Sequence, residues 1–341
     1  MLIKEVLCKQ IMKTNSIIKV SFLLLLLVLV NQTTFAQNIP AFRWWNPTKS
    51  EVNAIEGQVW SKEVAAPYDR FPSRAEKTIN PEVWKLSKQS AGLVIRFKTN
   101  ASTIIIRYQV DGALAMPHMP ATGVSGIDLY GVDNIGNYLW CAGKYAFKDT
   151  IEYKFTNLNL QPEKKDAKNS IEYRLYMPLY NSVKWLEIGI PDSNFISPIA
   201  SRKDKPIVVY GTSIVQGACA SRPGMAWTSI LSRKINLPVI NLGFSGTGRL
   251  EKEVLDLVNE VDASAYILDC LPNLTGGKNT FTQSEVYNRL INAVKQIRTK
   301  HLQTPIILTD HFGYTDAMIN PLKRAEFIAI NQTNHRAFKD L

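Results

Sequence analysis

Apolar and polar positions change their spacing once along this chain, near residue 200. Before that point, short β-branched or alternating runs recur: 92–97 (GLVIRF), 102–108 (STIIIRY), 126–130 (GIDLY), 151–155 (IEYKF), 171–176 (IEYRLY) and 183–188 (VKWLEI). A period of two marks half-buried strands, and turn residues separate these runs at short intervals. The pattern predicts an all-β sandwich of jelly-roll type over 38–200. Residues 197–205, with Pro198 and the Arg-Lys-Asp-Lys run, read as a linker. From Pro206 onward, strands at 206–211, 238–244, 265–271 and 305–312 alternate with helical patterns near 225–236, 250–262, 284–301 and 321–340. Leu250, Val254, Leu257, Val258 and Val261 carry the helical spacing and should face a sheet. That alternation predicts an α/β domain over 206–341, a parallel sheet with right-handed crossovers. The pattern ends on a helix, where a doubly wound sheet would continue.

The chain start changes the picture of location. Lysines precede the apolar run Phe22–Val30, and Thr34-Phe35-Ala36 follows. This is the order of a secretory signal over 1–36, cleaved after Ala36. The run is shorter than the roughly 20 residues a membrane span needs. The mature chain is therefore expected in the periplasm or outside the cell. The net charge of +11 is spread out, with no arginine-rich run and no nucleic-acid-binding module, so no nucleic-acid partner is expected. No His/Cys/Asp cluster has metal-ligand spacing, and Gly243-Phe-Ser-Gly246-Thr-Gly248 does not fit a dinucleotide fingerprint. No metal or cofactor is expected. Cys8 leaves with the signal, so Cys141, Cys219 and Cys270 remain. Cys219 and Cys270 are either paired in an oxidising compartment or two buried thiols.

Chemistry is concentrated at the ends of the later strands. The run Ile207-Val-Val-Tyr-Gly-Thr-Ser213 places a serine at the carboxyl end of a buried strand, where open α/β sheets hold their ligands. Such a serine is either a nucleophile or a helix cap. The elbow Gly-x-Ser-x-Gly is not met, because position 215 is Val, which argues against the ordinary α/β-hydrolase fold. Asn241-Leu-Gly-Phe-Ser-Gly246 ends the second strand, and a glycine there lets backbone approach a ligand closely. Asp269-Cys-Leu-Pro-Asn273 ends the third, with a side-chain amide able to donate to an oxyanion or to form an Asx turn.

The order Ser, Gly, Asn at successive strand ends resembles the SGNH (GDSL-like) hydrolases. The resemblance covers about 206–341 and implies a flavodoxin-like α/β/α domain. Ser213 matches the family's nucleophile, Gly246 its second-block glycine and Asn273 its third-block asparagine. It implies an oxyanion hole made of Ser213 N–H, Gly246 N–H and the Asn273 side chain. The first half resembles the β-sandwich that precedes a subset of bacterial members, through Gly126-Ile127-Asp128-Leu129-Tyr130.

One block is missing. The family's His base follows an Asp in Asp-x-x-His, and His118, His301, His311 and His335 are preceded at that spacing by Ala115, Arg298, Leu308 and Gln332. The catalytic His–Asp segment is expected to lie beyond Leu341, which leaves this chain nearly inactive. The expected activity is that of a secreted serine esterase removing acetyl or other short acyl groups from carbohydrates. The expected partner is an acylated carbohydrate or another small ester. A lipid or lysophospholipid esterase is the second reading. A non-catalytic glycan-binding protein is the third, for which Trp44, Trp45, Trp60, Trp84, Trp140 and Trp185 supply aromatic faces. Asp128 and Tyr130 have no role that chemistry assigns, and Arg70 or Arg74 is the expected partner of a buried Asp128.

Overall fold

The computed structural model describes residues 41–159, 170–275 and 281–341, so the leader expected over 1–36 lies outside them. Two antiparallel sheets come first. One has the order β1 (Phe42–Trp45), β10 (Val183–Pro191), β4 (Ile104–Val110), β8 (Ile151–Phe155) and β7 (Lys144–Ala146). The other runs β11 (Ile196–Pro198), β3 (Val94–Thr99), β9 (Ile171–Tyr176), β5 (Asp128–Val132) and β6 (Tyr138–Cys141), with β2 (Ile55–Glu56) paired to β3. Their facing sides bury Ile104, Ile106, Tyr108, Ile188 and Phe155 from one sheet against Ile95, Phe97, Leu129, Tyr173 and Leu175 from the other. Burying such side chains is worth about 1.5–3 kcal/mol each against leaving them exposed.

The pleat accounts for the Gly-x-Asp-Leu-Tyr signature. Side chains alternate faces along a strand. Ile127 and Leu129 join the sandwich core, while Asp128 and Tyr130 stand on the opposite face. That outer face of β3, β5 and β9 also carries Val94 and Tyr176 and an ion-pair network linking Arg96, Glu56, Glu172, Arg174 and Arg202.

After Pro206 the chain forms a parallel sheet in the order β13 (Val239–Gly243), β12 (Ile207–Gly211), β14 (Ala265–Asp269) and β15 (Ile306–Leu308). Helices α4 (Trp227–Ile235), α5 (Lys252–Val258), α6 (Gln283–Arg298) and α7 (Pro321–Lys339) connect and flank these strands, matching the sequence pattern closely. The observed architecture is thus a β-rich region followed by an α/β region, as the patterning predicts. Leu250, Val254, Leu257, Val258 and Val261 are buried against the sheet, as their spacing requires. β15 is an edge, and near it Ile307, Phe312, Met318, Ile319 and Leu322 are exposed.

Residues 57–90 depart from the all-β reading. They contain a 3₁₀ turn, Ser73–Lys77, and the helix α1 (Pro81–Ser87), capped by Asn80, whose side chain accepts from Glu82 N. Trp60, Phe71, Ala75, Ile79 and Val83 do not enter the sandwich core but share one core with Tyr210, Leu242, Phe244 and the α5 residues. Contacts join Phe42–Leu341 in one compact unit.

Candidate active site

Strand register places the candidate residues on one edge. Gly211 lies opposite Gly243 on one side and opposite Asp269 on the other. The loops 212–217, 244–249 and 270–275 therefore leave the sheet at the same level. Backbone bonds tie them together: Thr212 N–H donates to Asp269 O at 3.2 Å, and Phe244 N–H donates to Gly211 O at 2.9 Å. Glycine is required where these loops touch. A Cβ on Gly243 would collide with the Gln216 backbone, and one on Gly248 with Gly211 O.

Ser213 opens the short helix α3 (Ser213–Gln216) and is half-buried. It is not the cap of that helix. Thr212 is, its Oγ1 accepting from Ile214 N–H at 3.3 Å. The Ser213 N–H lies in the first turn, where N–H groups have no carbonyl partner within the helix. Its own carbonyl accepts the Tyr180 hydroxyl at 3.0 Å and the Gly217 and Ala218 N–H groups. Gly246 is exposed with φ of +70°, and nothing lies within 4 Å of where a Cβ would stand. The backbone there is in a conformation that costs another residue about 1–2 kcal/mol. Asn273, on a 3₁₀ turn (Leu271–Asn273), donates its side-chain amide to Thr247 O, the residue after Gly246. Ser213, Gly246 and Asn273 thus sit on adjoining, mutually bonded loops.

Buried side chains that spacing did not single out hold this edge. Gln216, fully buried, accepts Ser245 N–H at 3.0 Å and donates to Leu179 O at 3.0 Å and to Gln89 Oε1. Arg70 donates to Asn241 O at 3.1 Å, Gly243 O at 2.8 Å, Leu86 O at 2.7 Å and Gln89 O at 2.8 Å, and lies over the Phe244 ring. Burial pushes its guanidinium down to about 9, since carbonyl dipoles and no carboxylate receive it. Arg70 is therefore not the partner of Asp128. Neither is Arg74, which binds Glu63 and Glu260.

Asp128 is buried and reaches the loop after α3 instead. Its Oδ1 accepts Trp140 Nε1–H at 2.6 Å, and its Oδ2 accepts Gly224 N–H at 3.1 Å and pairs with Arg222 Nε at 3.0 Å. Burial, the largest influence, outweighs these partners and pushes the carboxyl up to about 6. Tyr130 packs on Gly224, and Arg233 covers its ring at 4.4 Å. The signature thus grips residues 222–225, about ten positions after Ser213.

The histidines stand apart from Ser213 in their bonding. His311 is buried, its Nδ1 accepts Gly313 N–H at 2.9 Å, and burial lowers its pKa. His335, on α7, is exposed and pairs with Asp310 at 2.8 Å, a contact their spacing of 25 residues concealed. His118 is exposed in the loop before β5, and His301 bonds Asn259 O. Cys219 and Cys270 form no disulfide: Cys270 is buried, its Sγ 3.6 Å from Tyr210 O, and Cys219 is exposed. Among the described residues, no three His, Cys, Asp or Glu side chains gather closely enough to hold a metal, and no helix is long and apolar enough to cross a membrane. A groove of about 1050 Å³ between α5 and α6 includes none of Ser213, Gly246 and Asn273. It holds neither a histidine nor any strand-end loop residue from 212–217 or 270–275, so the strand ends remain the candidate site.

Residues 204–341 match the GDSL-like lipase/acylhydrolase family, and residues 42–196 match the GxDLY N-terminus of SGNH-hydrolase-type esterases. No curated protein matches the sequence. Among solved structures, a GDSL-like lipase from Bacteroides ovatus ATCC 8483 is 30% identical, with a TM-score of 0.77 over 88% of this chain and 83% of its own. A salicylyl-acyltransferase from a tetracycline biosynthetic pathway shares the fold at 18% identity and a TM-score of 0.64, over 87% of this chain and 80% of its own. A family 2 carbohydrate esterase with a carbohydrate-binding domain, from Corynascus thermopiles (Myceliophthora fergusii), is 14% identical with a TM-score of 0.48, over 73% of this chain and 80% of its own. The chain belongs to the GDSL-like lipase/acylhydrolase family, with the GxDLY N-terminus of SGNH-hydrolase-type esterases before the α/β region.

Proposed function

We propose that the protein is a secreted serine esterase that removes acetyl or other short acyl groups from carbohydrates. The observation that carries this reading is the convergence of three strand-end loops. Ser213 is the nucleophile, and its hydroxyl attacks the ester carbonyl. The developing oxyanion is received by Ser213 N–H, Gly246 N–H and the Asn273 amide, donors fixed before reaction and costing no reorganisation. Arg70 and Gln216 hold the loops that carry two of those donors. The segment after α3 packs through Ala218 and Ala220 on Met119 and Val124, and supplies no long apolar cover of the kind a lipid chain would need. Secretion rests on the leader-like composition of 1–36.

The reaction also needs a base for the Ser213 proton. No histidine in the 341-residue sequence has the Asp-x-x-His spacing, and none of the described ones bonds to Ser213. Loss of a general base costs about 10² to 10⁴ in rate, so this chain by itself should turn over weakly. The test is acetyl release from acetylated xylo-oligosaccharides by residues 37–341, with and without added imidazole. Slow release that imidazole accelerates above its own background, in the Ser213 protein and not in Ser213→Ala, is expected. Fast turnover without imidazole would refute the missing base, and no release under any condition would refute the esterase.

A further inference from the structure

Of the tryptophans able to serve as sugar platforms, Trp60 is buried, while Trp44, Trp45, Trp84 and Trp185 are half-buried in packing. Trp140 differs, with half of its surface exposed. Beside it a cavity of about 240 Å³ wraps the ends of β5 and β6, and Tyr145, also more than half exposed, forms part of its wall. Ser221, Arg222 and Asp128 add polar groups to that wall. At roughly 30 Å³ per liquid water, this volume exceeds what a few waters fill. It falls below the ~300–1,000 Å³ usual for drug-sized ligands, and so suits a single ring.

The indole is fixed before any ligand arrives. Asp128 accepts its N–H at 2.6 Å, and the Arg222 guanidinium lies 4.4 Å from its ring centroid. A rigid aromatic face costs little ordering on binding. Flat apolar rings beside hydroxyl and guanidinium groups match a pyranose, which has apolar C–H faces and a belt of hydroxyls.

We propose that this cavity binds one sugar ring of a glycan, with Trp140 and Tyr145 as stacking faces and Arg222 and Ser221 as polar contacts. Arg222 lies in the segment that follows α3, the helix that Ser213 opens. The choice of a glycan rests on the esterase reading above and deepens it by naming a second contact with the same substrate.

The experiment is calorimetric titration of residues 37–341 with xylohexaose, cellohexaose and chitohexaose, in the Ser213 protein and in Ser213→Ala. At least one sugar should bind both proteins equally. Trp140→Ala and Tyr145→Ala should each weaken that binding about tenfold or more, with circular dichroism unchanged. Tyr145 lies on a short, exposed edge strand, so its variant keeps the test readable if Trp140→Ala does not fold. Absence of binding by all three sugars would overturn the proposal. So would undiminished binding in both variants, or saturable binding of octanoate in place of sugar. Sugar binding with no acetyl release would refute the esterase reading alone, and acetyl release with no sugar binding would refute this subsite alone.

Discussion

Two junctions of this molecule are built from different materials. At the strand-end edge, Gly211, Gly243 and Asp269 stand in register, and backbone N–H to carbonyl bonds link the loops that follow. At the signature junction, side chains from distant parts of the chain meet: Asp128, Trp140, Arg222, Tyr130 and Arg233. The first arrangement leaves Ser213 and Gly246 open to solvent and to a ligand, and asks little of their side chains for stability. The second buries a carboxylate that is costly to ionise. Removing a function-bearing side chain should cost the fold little in the first junction and more in the second, where Asp128 alone meets Trp140, Gly224 and Arg222.

Ser213→Ala is the sharpest probe of that difference. Imidazole-assisted acetyl release should fall by about 10³ or more, while the melting temperature stays within a degree or so, because the half-buried hydroxyl has no hydrogen bond that the fold depends on. Arg70→Met tests a buried side chain that holds the same strand-end edge. It removes one donor each from the carbonyls of Leu86, Gln89, Asn241 and Gly243, and a buried carbonyl left unpaired costs about 1–3 kcal/mol. A melting temperature lower by roughly 10 °C is expected, with Arg70→Lys recovering part of it. An unchanged melting temperature would mean that the strand-end edge does not depend on residues 57–90.

The strand-end edge was legible because its signals are local. A β-branched run followed by Gly-Thr-Ser names both the strand and the residue at its tip, and the same holds for Asn241–Gly246 and Asp269–Asn273. The signature was legible as a pattern but not as a role, since Asp128 meets Arg222 across 94 positions and no period or spacing connects them. Residues 57–90 were misread for the same reason. Trp60 bonds Glu260, 200 positions away, and a short helix capped by Asn80 and started by Pro81 gives only a faint helical period. The pair Asp310 and His335 was hidden because α7 folds back onto the loop that it follows.

Asn273→Ala sits between Ser213→Ala and Arg70→Met. Its amide is a proposed oxyanion donor, and loss of one such donor typically costs about 10² to 10³ in rate. It also bonds Thr247 O, so a smaller stability loss of about 1 kcal/mol should accompany it. A rate loss with full retention of sugar affinity would place the residue on the reacting carbonyl. An equal loss of both would make it a loop fastener.

Asp128→Asn is read in stability alone, and the sign of its effect is the most informative. Burial raises the folded carboxyl from 3.8 to about 6, against the pull of Arg222, Trp140, Gly224 and Arg233. The folded chain therefore holds this proton more tightly than the unfolded chain. Stability from this group is present in full below about pH 4, declines as pH rises to about 6, and is flat above. Asparagine keeps an acceptor for Trp140 and does not titrate. The unfolding free energy of the Asp128 protein minus that of Asp128→Asn should therefore fall from about pH 4 to about pH 7, by at most about 3 kcal/mol. Urea melts at pH steps across that window read the difference directly. A difference that rises with pH would show that pairing with Arg222 outweighs burial, which would make the signature junction a stabilising ion pair and erase the contrast with the strand-end edge.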